Sequence, residues 1–131
     1  MNAKYDITGI SKVNEFGVEV RRIRASRTFC TINEVVIEGT YGGWVQYYDN
    51  LDRYDKSWLS GESEIFGDAI VNRNSIVSGD VKVCENTIIQ NSKIEGKFVI
   101  CGRTTIRDVY FRNNTNTISV LKDASIIGQR R

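Results

Sequence analysis

Apolar side chains recur at every sixth position through the second half of this chain. From Leu59 the series runs Leu59, Ile65, Val71, Val77, Val83 and Ile89. Two positions before each sits a small or β-branched residue: Ser57, Ser63, Ala69, Ser75, Val81 and Thr87. Two positions after come Gly61, Gly67, Arg73, Gly79, Glu85 and Asn91, mostly followed by a polar turn former such as Asp68, Asn74 or Asp80. After Asn91 the frame slips by one residue and resumes over 92–96, 98–102 and 104–108. A second slip gives 109–113, and the last unit covers 124–128. In all, the unit occurs nine times between Ser57 and Asp108.

A short fixed period marks supersecondary units that stack. Side chains two apart share one face of a strand, so the aliphatic and small positions point inward together. The Gly/Asn/Asp positions turn the corners, where positive φ is often required. Three six-residue units close one triangular coil, the hexapeptide signature of a left-handed parallel β-helix in an all-β protein. About four coils are expected: 57–74, 75–91, 92–108 and an irregular one from 109 to about 128. At a strand spacing of about 4.8 Å the stack is about 20 Å tall. The hand of the helix rests on likeness to other hexapeptide proteins, not on the period.

Residues 1–56 do not follow this period. They read as strands broken by turns, with candidates at 5–13, 18–29, 31–38 and 44–48. A β-helix has open ends with unpaired backbone groups, and a strand-rich cap is the plain role for this segment. The division expected is a cap at 1–56, a β-helix at 57–128 and a disordered tail at 129–131.

The repeat also predicts outward side chains. Trp58, Ile76 and Lys93 share one face; Glu64, Lys82 and Val99 the second; Ile70, Ile88 and Thr105 the third. Phe66 over Cys84 adds an apolar spot beside the Glu64–Lys82 pair. Contiguous outward apolar residues mark interfaces, so Ile70, Ile76 and Ile88 are candidates for a homo-oligomer contact. The alternative is that the N-terminal segment folds over one of these faces. Six aromatic residues crowd positions 41–58: Tyr41, Trp44, Tyr47, Tyr48, Tyr54 and Trp58. Trp and Tyr dominate binding hot spots. Arg21, Arg22, Arg24 and Arg27 form a basic cluster, in which strand alternation puts Arg22 and Arg24 on one face. Such a face grips carboxylates or phosphates. The candidate partner-binding residues are therefore Trp44, Tyr48, Trp58, Arg22 and Arg24. Packing of the rings onto the first coil is the competing assignment.

The segments 21–25, Tyr41-Gly42-Gly43-Trp44-Val45, Asn50-Leu51 and Ser57-Trp58-Leu59, with the hexads behind them, resemble a family of small hexapeptide-repeat proteins. Its members occur in phages, prophages and enterobacterial genomes, and most have no established activity. The resemblance spans about residues 5–90. It implies the fold and a phage-linked setting, not a reaction.

Composition removes the chemistry this fold most often carries. The chain has no histidine. Hexapeptide acyltransferases use a histidine general base, and the carbonic-anhydrase branch holds zinc with three. Ser-His-Asp and Cys-His systems fail for the same reason. No phosphate-binding loop or dinucleotide fingerprint is present. Glu62 and Asp80 stack on adjacent coils but read as solvated corner residues. No catalytic residue, metal or cofactor is therefore expected. With 18 basic and 16 acidic residues the net charge is +2, and a nucleic-acid partner is not expected. No apolar run is long enough for a membrane span, and the first residues lack a signal-peptide core. Three cysteines without CxxC spacing suggest reduced thiols and a bacterial cytosol. The reading reached is a non-catalytic protein that binds a host protein or complex, as an inhibitor of bacterial defence of the anti-CRISPR type. Two alternatives stand beside it: an atypical acyltransferase, and a structural β-helix that stacks end to end.

Overall fold

The computed structural model describes residues 2–129; the expectation for Arg130 and Arg131 lies outside them. The chain begins with two antiparallel hairpins. Strands β1 (Tyr5–Val13) and β2 (Glu19–Ala25) form the first, and β3 (Phe29–Cys30) and β4 (Val35–Val36) the second. Then β5 (Tyr41–Val45) pairs antiparallel with β2 on one side. On its other side it pairs parallel with β7 (Glu64–Ile65). From β5 onward the fold is a parallel β-solenoid of about five turns.

Three columns of short strands form its faces. The first stacks β6 (Trp58–Leu59), the first half of β9 (Ile76–Val83), the first half of β11 (Lys93–Cys101) and β13 (Tyr110–Asn113). The second stacks β5, β7, the second halves of β9 and β11, and β14 (Ser119–Lys122). The third stacks β8 (Ile70–Asn72), β10 (Ile88–Gln90), β12 (Thr105–Arg107) and β15 (Ser125–Ile127), with Leu51 bridged to Val71 at its head.

The aliphatic positions of the repeat fill the interior. Leu59, Val77 and Ile94 line up inside the first face, Val45, Ile65, Val83 and Ile100 inside the second, and Leu51, Val71, Ile89 and Ile106 inside the third. All are fully buried. Each such side chain contributes about 1.5–3 kcal/mol by leaving water. The small positions do a different job. Ser57 Oγ accepts from the Ser75 amide at 2.9 Å, Ser75 Oγ from the Ser92 amide at 3.1 Å, and Ser92 Oγ from the Val109 amide at 3.3 Å. A hydroxyl ladder thus satisfies the buried corner amides, which an alanine there would leave to strand geometry alone.

The corners carry the positive φ values the repeat predicts, at Gly61, Gly67, Arg73, Asn74, Glu85, Asn91, Gly102 and Asp108 among others. Gly79 and Gly96 are more demanding, because β9 and β11 run through their corner unbroken. Gly96 has φ 111°, and a Cβ there would lie 2.1 Å from the Asn113 carbonyl oxygen. Gly96→Ala is expected to cost at least the roughly 1–3 kcal/mol of a forced backbone conformation, read as a lower urea midpoint.

Two expectations change. The solenoid has about five turns rather than four, and its first coil starts at Tyr41 rather than Ser57. The period hid this coil because Val45 to Ile65 and Leu51 to Val71 are twenty positions apart, not eighteen. The cap is accordingly confined to residues 2–40. It is pinned by Lys4, whose side chain is fully buried. The ammonium donates to the Asp52 carbonyl, to the Asp55 carbonyl at 2.9 Å and to Asp55 Oδ1 at 3.2 Å. Asp55 also accepts from the Ser57 amide at 2.7 Å and the Arg73 amide at 2.6 Å. Among the described residues no helix is long and apolar enough to cross a membrane.

Candidate functional site

The N-terminal hairpins decide which predicted surfaces are surfaces. The segment after β2 lies along the first face: the Phe29 ring meets Trp58 edge-on at 5.3 Å, and Ile32 reaches the neighbourhood of Lys93 and Tyr110. Trp58 is 2% exposed and Ile76 4%. Both are corrected from outward binding residues to covered ones. The tip of the β1–β2 hairpin folds over the second face, where Phe16 packs on Phe66 at 5.5 Å. Among the described residues only the third face leaves its outward apolar pair uncovered by the hairpins. There Ile70 and Ile88 stand in register, with Ile88 37% exposed.

Arg22 and Trp44 are register partners on β2 and β5. The Arg22 guanidinium lies 5.2 Å from the indole centroid, and the Lys12 ammonium lies 4.5 Å from it. Trp44 Nε1 donates to Glu62 Oε2 at 3.2 Å, and Arg22 pairs with Glu62 at 3.6 Å. Trp44 is thus clamped, and at 6% exposure it is part of the scaffold. Beneath it Glu64 is 1% exposed and still charge-matched: Lys12 at 3.1 Å, Lys82 at 3.7 Å and the Asn14 amide at 2.9 Å. Burial opposes the charge on Lys82, but the Asp80 and Glu64 carboxylates outweigh it and raise its pKa. Glu62 and Asp80, the stacked carboxylates of the sequence, each face cations rather than each other.

The exposed layer is built on this base. Tyr41 is 48% exposed, with Arg22 at 5.8 Å and Arg24 at 5.7 Å from its ring. Around the next corner Tyr48 stacks on Tyr5 at 5.9 Å, and Arg53 covers Tyr48 at 4.5 Å and Tyr54 at 5.8 Å. Tyr47 stands open at 54% exposure. Of the five predicted binding residues, Arg22, Arg24 and Tyr48 reach this layer, Trp44 supports it, and Trp58 lies in the core. Lys12 and Arg53 were missed. Arg53 follows directly on Asp52 in an aromatic-rich turn, which was the available signal.

Among the described residues no group of three or more histidine, cysteine, aspartate or glutamate side chains is placed to hold a metal ion. No protein-family model and no curated protein matches the chain.

Proposed function

We propose that this chain is a non-catalytic accessory protein of phage or prophage origin. It docks on a host protein or complex and occludes its surface, as an inhibitor of a bacterial defence system of the anti-CRISPR type. The phage setting rests on the sequence resemblance. The docking reading rests on one observation: the first coil presents exposed tyrosines with arginines already seated over their rings. Arg and Tyr lead the hot-spot residues, and rings held by cations lose little freedom on binding. Arg22 and Arg24 suit a carboxylate-rich partner surface. A nucleic-acid partner fits less well, since Asp49, Asp52 and Asp55 interrupt the basic residues on the same coil.

The test is plaquing of a phage on a bacterium with an active CRISPR system, with and without expression of the chain. Restored plaquing is expected, together with co-purification of one stoichiometric host complex. Arg24→Ala/Tyr41→Ala is expected to keep the wild-type circular dichroism and lose both effects. No rescue across the defence systems tried overturns the inhibitor reading; full rescue by the double variant overturns the surface.

A further inference from the structure

Two thiols occupy neighbouring rungs of one outward row. Val83 and Ile100 pair in register, so Cys84 and Cys101 follow side by side on adjacent coils. The Cys84 amide donates to the Ile100 carbonyl at 3.0 Å. Both residues are buried, whereas Cys30 is exposed elsewhere. They line a cavity of about 520 Å³ together with the apolar Phe16, Phe66 and Val99 and the polar Asp68, Glu85 and Asn86. An open approach to the dithiol is thus present on a face the hairpin tip only partly covers.

Spacing says what this pair accepts. Stacked rungs lie about 4.8 Å apart. Two bonds of the zinc–sulfur length, about 2.3 Å, span nearly the same distance in a straight line. Zinc needs four ligands, which the site does not assemble. A soft ion content with two thiolates fits the rung spacing without moving the backbone.

We propose that Cys84 and Cys101 form a two-coordinate site for a monovalent thiophilic ion, Cu(I) or Ag(I). Binding replaces two S–H bonds by two metal–sulfur bonds and releases two protons to solvent. No oxidation state changes. The product bears one negative charge. Lys122 is the register partner of Cys101 on the next coil and supplies the counter-charge. Glu85 and Asp123 also face Cys101 and oppose that charge. The site lies apart from the arginine–tyrosine layer and does not depend on its function.

The test uses the full chain carrying Cys30→Ser, under anaerobic conditions. Cu(I) is added as its acetonitrile complex and competed with bathocuproine disulfonate. One Cu(I) per chain is expected, with an ultraviolet thiolate-to-copper band. Cys84→Ser and Cys101→Ser are each expected to weaken binding beyond the about 100-fold that loss of an outer-shell partner brings. Undiminished affinity in either serine variant, or no stoichiometric binding by the folded Cys30→Ser protein, overturns the proposal. Copper X-ray absorption on the Cys30→Ser protein decides the point without those variants: two sulfur neighbours in line are expected, and three or more ligands refute the site.

Discussion

Trp58→Ala is expected to destabilise the protein by about 3–5 kcal/mol, the cost of truncating a buried aromatic and leaving its cavity. Trp58 sits where the cap meets the first face, edge-on to Phe29 and in register with the buried Ile76. Neither the hairpin segment above it nor the coil below it is free to collapse into the gap, since both are fixed by strand pairing. Urea unfolding followed by circular dichroism measures the loss. A shift below about 1 kcal/mol would mean that the cap does not pack on the first face in solution. The same variant is unsuitable as a probe of partner binding, because lost folding would pass for lost contact. Tyr41 and Arg24 serve that purpose better, since each projects from a strand whose inner neighbours are untouched.

Asp55→Ala is expected to cost a similar about 3–5 kcal/mol, for an electrostatic reason. Its carboxylate faces the buried Lys4 ammonium and two backbone amides, and its removal leaves a cation with carbonyl partners only. Breaking one member of a buried pair is far more damaging than replacing both. The double variant Lys4→Met/Asp55→Ala is therefore expected to be more stable than Asp55→Ala alone. Were it less stable, the Asp52 and Asp55 carbonyls alone would be enough to hold the buried ammonium. The pH dependence carries a definite sign. Burial works against ionisation of Asp55, but the Ser57 amide and Lys4 together hold its pKa below the ordinary carboxylate value. The unfolded chain then takes up this proton first as pH falls. The stabilisation is complete above the ordinary carboxylate range and disappears as pH drops through the lower folded value. In Asp55→Ala that part of the acid destabilisation is expected to vanish.

The solenoid was legible because each coil states its own pattern. Aliphatic inward positions, small residues beside them and left-handed corner residues recur in step, and local geometry alone places them. The first coil escaped notice because longer corners stretch its spacing to twenty residues. Outward direction was also readable, as Ile70, Ile88, Lys82 and Val99 show. Exposure was not. Whether an outward residue meets water depends on what folds over it, and nothing near Trp58 or Ile76 announces Phe29. Lys4 shows the same limit more sharply. A lysine four residues from the start of a sequence reads as solvated, and only tertiary structure reveals that it is the pin of the cap. In the exposed layer of the first coil, residue type predicted exposure well for the arginines and poorly for the tryptophans. Large rings are as useful for filling a cap as for gripping a partner.

The slips after Asn91 and Asp108 fall at corners, both of which adopt positive φ, while the faces on either side keep their register. Length variation in this protein is thus confined to hinge points between flat walls. A residue gained or lost at a corner alters one turn and leaves the inward row in phase, whereas the same change within a strand would turn every following side chain inside out. The architecture separates what must be conserved from what is free to drift, so homologues of quite different length could share the same interior almost unchanged.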